Sequence, residues 1–197
     1  MFLKDPPRLI LASTSAYRRA LLERLKLPFD SVPPDVDETR LANEPVESLV
    51  ARLARAKADA VAVRFPDAIV IGSDQAASRG DEILGKPLTV ERCERELHKS
   101  SGHDVTFFTA VHIVDGRAGR REQHVDRTVA RFRQLTSDEI ARYVERDQPL
   151  DCAGGFKAES LGIALFERVE SSDPTALTGL PLAWVAAALR RAGLPAP

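Results

Sequence analysis

Residues 8–27, RLILASTSAYRRALLERLKL, pass from a short apolar run into a helical pattern with only a few small residues between them. The apolar run predicts a buried strand, and Leu21, Leu22 and Leu25 share the spacing of one helix face. A strand that leads directly into a helix is a building unit of α/β folds, in which helices cover the sheet. This joint therefore favours an α/β protein.

The rest of the chain continues the alternation. A helix is predicted over residues 45–65, and the apolar run at 68–72 predicts a second buried strand. Two β-rich stretches, 104–114 and 121–133, are joined by GRAG and predict a long hairpin. Further predicted elements are a short strand from about residue 29, turns at SRGDE and GKP, helices over 89–100, 135–146 and 181–191, and a strand over 162–170. We expect one domain over residues 1–197 without a separate linker, with an α/β fold, a long antiparallel ribbon and room for two lobes flanking a cleft.

Composition limits the class of protein. The chain has 197 residues and a formal net charge of −1, which argues against broad electrostatic binding to nucleic acid polymers or anionic membranes. The N-terminal apolar run is too short for a signal peptide, and no stretch reaches membrane-spanning length. Cys93 and Cys152 stand alone, and Cys93 falls in step with the apolar residues of a predicted helix, which favours core packing. These features predict a cytoplasmic protein with reduced thiols.

The first strand-to-helix joint carries Ser13, Thr14 and Ser15, followed closely by Arg18. Hydroxyl side chains at this point can cap the free N–H groups of the first helical turn. The alternative is an anion site, because a helix N-terminus attracts phosphate and arginine adds a charged fork. Arg18 lies on the side of the leucine face, where an unpaired guanidinium would be costly. We therefore favour the anion site for Arg18.

Carboxylates suggest a second group of candidates. Asp74 follows the apolar run at 68–72, at the end of a strand where α/β proteins gather ligands. It could bind a metal or act as a base, and an Asx turn that ends the strand is an equal alternative. Asp35, Asp37 and Glu38 form an acidic loop that either holds a hard cation such as Mg²⁺ or is simply solvated.

Two lysines complete the candidates. Lys57 falls within the apolar face of the predicted 45–65 helix. A lysine there meets an anion or extends its ammonium to solvent. Lys86 lies in the turn Gly85-Lys86-Pro87, and a solvated loop lysine is its simpler explanation.

The chain resembles the Maf family of nucleoside triphosphate pyrophosphatases over nearly its whole length. Each matching segment is weakly informative alone, but their order is highly specific. The segments are LILASTSAYRRALL, VDETR, RLARAKA, IGSDQ, GKP, SGHDVTFFTAV, DCAGGFKAES and GLPL. Gln75 and the FKAE sequence resemble the branch that hydrolyses 7-methyl-GTP, whereas the dTTP and UTP branch carries Thr and Gln at the positions of Gln75 and Glu159.

The resemblance implies a role for each matched position. It makes Asp74 the proton acceptor, with Glu38 and Asp74 holding a divalent metal, Mg²⁺ or Mn²⁺. The implied contacts to the triphosphate are Ser13, Ser15, Arg18, Lys57 and Lys86, and the implied specificity positions are Tyr17, Gln75 and Glu159. The chain departs from the family pattern at Ala16, Tyr17 and Ser160, where Pro, Trp and Gly are usual.

The implied reaction is hydrolysis of a nucleoside triphosphate to the nucleoside monophosphate and pyrophosphate, which clears unwanted nucleotides from the cellular pool. The implied fold is a Maf/ITPase-like mixed sheet, and the family also implies a homodimer. Three alternatives stay open: a dTTP/UTP pyrophosphatase of the same family, a nucleotide-binding regulator of septum formation without turnover, and a phosphatase that releases single phosphates.

Overall fold

The computed structural model of the protein describes residues 7–196. This part of the chain contains seven strands, five α-helices and three short 3₁₀ turns. The strands are β1 (Leu9–Ala12), β2 (Asp30–Ser31), β3 (Ile69–Arg79), β4 (Glu82–Leu84), β5 (Asp104–Asp115), β6 (Arg120–Phe132) and β7 (Phe166–Glu170). The helices are α1 (Ala16–Glu23), α2 (Val46–Ala62), α3 (Val90–Ser100), α4 (Ser137–Asp147) and α5 (Leu182–Arg191). The predicted α/β class is confirmed.

The strands form a mixed sheet in the order β2-β1-β3-β5-β6-β7, with β4 paired to β3. β1 is parallel to both β2 and β3, and its ladder with β3 runs from the pair Leu9–Ile69 to the pair Ala12–Gly72. The pairs β3–β4 and β6–β7 are antiparallel. β5 and β6 are neighbours joined by the turn 116–119, so the predicted long hairpin is confirmed.

The chain divides into two compact units. The first contains residues up to Gln75, Thr109–Asp126 and the chain from Asp173 onward. Its core is built on both faces of β1 and β3, whose side chains alternate between the two faces. On one face Leu9, Leu11, Ile69 and Ile71 pack with α1 and α5, and on the other Ile10, Ala12 and Val70 pack with α2. This two-sided burial explains why these strands have uninterrupted apolar sequences.

The second unit contains Ala76–Phe108 and Arg127–Ser172. Four aromatic rings occupy its interior with edge-to-face contacts between centroids 4.9–5.3 Å apart: Phe107, Phe132, Phe156 and Phe166. Cys93 is fully buried on α3 beside the carbonyl oxygen of Gly155, which confirms that it is a core residue. Both cysteines are free thiols. Between residues 7 and 196, no helix combines the length and apolar character needed to cross a membrane.

Two predicted strands differ from the structure. The apolar run at 68–72 predicts a strand that ends near residue 72. In the structure β3 continues to Arg79, because its second half pairs with β4 through the predicted tight turn at Gly80. The strand expected over 162–170 begins only at Phe166, since Leu161–Leu165 form a 3₁₀ turn. Gly162 approaches the Lys157 backbone so closely that an added Cβ would lie 2.4 Å from the carbonyl oxygen, which favours a turn over an extended strand.

Candidate functional site

The joint between β1 and α1 uses its hydroxyl groups as caps. The Ser15 hydroxyl accepts a hydrogen bond from the backbone N–H of Arg18 at 3.3 Å, and the Ser13 hydroxyl accepts one from the N–H of Ser15 at 3.1 Å. The capping interpretation is therefore confirmed for Ser15. It is compatible with the anion hypothesis, since the same turn presents the positive end of the helix dipole. Leu21 and Leu22 are buried, as their spacing predicts.

Arg18 has a partner that the sequence does not reveal. Its Nε donates to the carbonyl oxygen of Gly179 at 3.0 Å, so one nitrogen of the guanidinium is paired within the protein, and the anion favoured for Arg18 stays a prediction. Gly179 has a φ of +112°, a conformation that glycine adopts readily, and it directs its carbonyl at the guanidinium. Burial lowers the pKa of Arg18, whereas the negative charges of Asp74 and Glu38 raise it. Arg18 therefore lies in the electrostatic field of both carboxylates.

The centre of the site is a buried lysine between two carboxylates. Lys57 Nζ lies 2.6 Å from Asp74 Oδ1 and 2.8 Å from Glu38 Oε1. The Lys57 side chain is 6% exposed and that of Asp74 11%, whereas 59% of the Glu38 side chain is exposed. The sequence predicts that Lys57, on the apolar face of α2, meets an anion or extends to solvent, and the structure shows that it meets these carboxylates.

Gly72 makes this contact possible. A Cβ added to Gly72 would lie 2.3 Å from the carbonyl oxygen of Ala54 on α2. The absence of a side chain therefore lets α2 approach β3 closely, two residues before Asp74. Lys57 is one helical turn beyond Ala54, so the close approach brings its ammonium to the carboxylate.

Asp74 lies within β3, just beyond the end of its parallel ladder with β1 at Gly72. The expectation that Asp74 would follow the strand is wrong, but it does lie past the carboxyl end of β1, where ligands of α/β sheets bind. Burial raises the pKa of Asp74 above its ordinary value of 3.8, against the opposing effects of Lys57 and Arg18. A carboxylate with a raised pKa is better suited to accept a proton.

The loop that carries Glu38 is anchored by residues that sequence patterns did not single out. Glu44 is buried and accepts hydrogen bonds from Arg52 Nε at 2.7 Å and Arg52 Nη2 at 2.8 Å. Arg40 binds the Glu44 carbonyl oxygen, and Arg52 also binds the Thr39 carbonyl oxygen. These bonds fix the backbone on the C-terminal side of Glu38. The separation of eight residues between Glu44 and Arg52 matches no local motif.

The other acidic residues of this loop do not join the cluster. Asp37 Oδ1 accepts a hydrogen bond from the N–H of Thr39 at 2.9 Å, and hydrogen bonds from Thr39 lower the pKa of Asp37. This is an Asx turn, the structural alternative for an acidic loop. Of the three acids considered for a hard cation, only Glu38 reaches the ammonium of Lys57.

Gln75 follows Asp74 on β3 and has its amide nitrogen fully engaged. Nε2 donates to Thr109 Oγ1 at 2.8 Å, to the Ala176 carbonyl oxygen at 2.9 Å and to the Leu177 carbonyl oxygen at 3.1 Å. The two protons of the amide are therefore shared among three acceptors, which leaves Oε1 as the atom that Gln75 can offer to a ligand. The amide orientation follows from these bonds.

The remaining candidates are exposed. Tyr17 on α1 keeps 39% of its surface exposed in the first unit. Lys86 and Glu159 belong to the second unit and are both exposed. Lys86 borders a surface pocket that is also lined by Arg92, Arg95 and Lys99. The roles of Tyr17, Lys86 and Glu159 stay predictions from the family resemblance.

Comparison with known proteins gives consistent matches over most of the chain. The family model described as Maf-like protein matches residues 8–192. A 7-methyl-GTP pyrophosphatase from Alkalilimnicola ehrlichii is 56% identical, with 90% of this chain and 89% of that relative covered. A 7-methyl-GTP pyrophosphatase from Aromatoleum aromaticum is 52% identical, with 95% and 96% covered. A solved structure of a HAM1 protein from Coxiella burnetii has a TM-score of 0.52 at 15% identity, covers 94% of this chain and 100% of its own, and shows a shared fold.

Proposed function

The chain belongs to the Maf family, and we propose that it hydrolyses 7-methyl-GTP to 7-methyl-GMP and pyrophosphate. The observation that carries the proposal is the cluster of Arg18, Lys57, Asp74 and Glu38, which combines two cations with a buried carboxylate of raised pKa. The choice of 7-methyl-GTP is supported by the names of the relatives at 52% and 56% identity. A sensor protein would not need the proton acceptor, so the intact cluster favours an enzyme.

The cations of the first unit are proposed to bind the triphosphate. Nε of the Arg18 guanidinium donates a hydrogen bond to the Gly179 carbonyl oxygen. Its terminal nitrogens make no hydrogen bond to any residue in the range 7–196. A guanidinium fork held at one end is suited to bidentate phosphate binding. The caps made by Ser13 and Ser15 order the helix N-terminus beside it. We propose that these groups and Lys57 hold the phosphates. Lys86 is a further proposed phosphate contact, supported by the family resemblance alone.

A divalent cation fits the donors at this site. Glu38 and Asp74 present carboxylate oxygens that converge on one ammonium, and Mg²⁺ is commonly held by one or two carboxylates together with substrate phosphates. In the part of the chain that the structure describes, no three His, Cys, Asp or Glu side chains group as a metal site. We propose that Glu38 and Asp74 hold Mg²⁺ or Mn²⁺ jointly with the triphosphate. When bound, the metal would stabilise negative charge on the phosphate oxygens.

Asp74 is the proposed general base. It would orient a water molecule and accept its proton while the water oxygen forms a bond to the α-phosphorus. The bond between the α-phosphorus and the bridging oxygen breaks, and that oxygen leaves with pyrophosphate. Arg18 and Lys57 would stabilise the charge that develops on the leaving group. No covalent intermediate is required.

Tyr17 and Glu159 are proposed to recognise the base. Methylation at N7 gives guanine a positive charge, and a cation on an aromatic face gains about 0.5–2 kcal/mol. A carboxylate can accept hydrogen bonds from both N1–H and the N2 amine of guanine, a donor pair that thymine and uracil lack. A hydrogen bond to a charged group contributes about 1.5–3 kcal/mol. We therefore expect Glu159→Gln to weaken the guanine preference and Tyr17→Ala the preference for the methylated base.

The test is kcat/KM for 7-methyl-GTP, GTP, dTTP and UTP with Mg²⁺ or Mn²⁺, with pyrophosphate and orthophosphate scored separately. We expect pyrophosphate alone, with 7-methyl-GTP preferred and the ranking changed by the two variants as stated. A preference for dTTP or UTP would assign the chain to the other branch of the family. Orthophosphate as the first product would indicate a phosphatase, and nucleotide binding without turnover would favour the regulator.

A further inference from the structure

One backbone turn contacts two side chains of the candidate site. The turn segment, defined here as residues 173–183, leads into α5. The Gly179 carbonyl oxygen accepts hydrogen bonds from Arg18 Nε and from the Ser73 hydroxyl, each at 3.0 Å. The carbonyl oxygens of Ala176 and Leu177 accept from Gln75 Nε2. The turn segment therefore sets the orientation of both the Arg18 guanidinium and the Gln75 amide.

The shape of the turn segment depends on Asp173, which is only 4% exposed. Its Oδ1 accepts hydrogen bonds from the N–H of Thr175 at 2.9 Å and from the Thr175 hydroxyl at 2.6 Å. Its Oδ2 accepts from the N–H of Ala183 at 2.7 Å. The carboxylate thus ties the beginning of the turn segment to the first turn of α5.

Thr175 makes a second tie in the same place. Its hydroxyl oxygen accepts a hydrogen bond from the N–H of Leu182 at 2.8 Å and also lies 2.8 Å from the Leu180 carbonyl oxygen. Pro181 precedes α5 and makes no side-chain cap. Asp173 and Thr175 consequently satisfy N–H groups that a helix start leaves free. Together they hold both ends of the turn segment whose middle carries the Gly179 carbonyl.

We propose that Thr175 and Asp173 are positioning residues for substrate binding, which act by fixing the carbonyls that orient Arg18 and Gln75. The inference rests on the proposed function, because it gives Arg18 and Gln75 a substrate to hold. Neither positioning residue needs to touch the nucleotide. Arg18 and Gln75 are proposed to hold the substrate, so a turn segment that is merely loosened weakens substrate binding more than it slows the chemical step.

The experiment compares Thr175→Val, which removes the hydroxyl, with Thr175→Ser, which keeps it. Thr136→Val is the matched control, because the Thr136 hydroxyl caps α4 in the second unit through the N–H of Glu139. Steady-state kinetics with 7-methyl-GTP are measured well below the lowest Tm. We expect Thr175→Val to raise KM about tenfold with kcat changed less than about threefold, as loss of a hydrogen bond that supports binding would do. Thr175→Ser and Thr136→Val should stay within about threefold of wild type in both constants.

Two results would overturn the inference while leaving the proposed function intact. The first is an unchanged KM in Thr175→Val. The second is found if Thr175→Val and Thr136→Val lower Tm by the same amount and also lower kcat/KM by the same factor. If Thr175→Val does not fold, Asp173→Asn supplies the same comparison, since its amide nitrogen cannot accept a backbone hydrogen bond. A wild-type protein that releases pyrophosphate from none of the nucleotides would overturn the proposed function and this inference with it.

Discussion

Replacing Lys57 by methionine separates the electrostatics of the site from its packing. Methionine is similar in length and suits the apolar face of α2, on which Leu53 and Val61 are buried. The substitution removes the ammonium that lies 2.6 Å from Asp74 and leaves that carboxylate buried without its closest cation. Removing one partner of a buried ion pair costs about 3–5 kcal/mol, because the other charge stays uncompensated. In a chain of this length that loss corresponds to a fall in Tm of roughly 10 °C.

The loss should depend on pH in a defined direction. The pKa of Asp74 in the folded protein is already above its ordinary value of 3.8 because of burial, and loss of Lys57 removes an effect that lowers it. A carboxyl group whose pKa rises on folding stabilises the fold below its ordinary pKa, and this stabilisation is lost as the pH rises through the folded pKa. The difference in unfolding free energy between wild type and Lys57→Met should therefore be small near pH 4 and largest near pH 8.

Urea unfolding in metal-free buffer over that pH range measures the difference. Glu38→Gln is the control, because Glu38 is the exposed partner of the same ammonium and its loss should cost at most about 1 kcal/mol. The double variant Lys57→Met/Asp74→Asn should regain most of the loss at high pH, since it removes the buried charge. If Lys57→Met is as stable as wild type near pH 8, or the double variant recovers nothing, the buried ion pair is not what stabilises this site.

Three further outcomes are expected. Asp74→Asn should fold and bind nucleotide but lose nearly all turnover, because an amide cannot accept the proton; activity within a few fold of wild type would remove the base role. Gly72→Ala should lower the free energy of unfolding by about 1–3 kcal/mol through the clash with α2, whereas Gly85→Ala, where a Cβ meets nothing within 4 Å, should be nearly neutral in urea unfolding. Burial raises the pKa of Cys93 to about 11 and of Cys152 to about 12, so both thiols should react with a disulfide reagent near pH 8 much more slowly in the native protein than in the unfolded chain, and rapid labelling of the native protein would contradict this.

The sequence predicts the parts of the site that depend on local periodicity. The spacing of the leucines fixes the buried face of α1, and the hydroxyl before it becomes the N-cap Ser15. The period of α2 places Lys57 on a core face, from which a nearby anion follows by electrostatics. The extent of β3 is harder to predict, because its apolar run ends at Gly72 while its pairing with β4 extends the strand to Arg79. This hairpin is local, with its turn at Gly80, but residues 75–79 (QAASR) contain no apolar run that would mark them as strand.

The contacts that hold the site in place join residues far apart in the chain, and they end on backbone atoms. Arg18 is 161 residues from Gly179, and Gln75 is 101 residues from Ala176. A carbonyl oxygen belongs to every residue, so no residue type marks it as the partner of a guanidinium or an amide. The periodicity of α1 predicts the burial of the Arg18 guanidinium but not its acceptor at Gly179, and an anion at its terminal nitrogens stays a prediction. For the same reason, the local sequence gives Thr175 no role in the site. Its hydroxyl bonds to Leu180 and Leu182 hold the turn segment, and the Gly179 carbonyl of that segment binds Arg18.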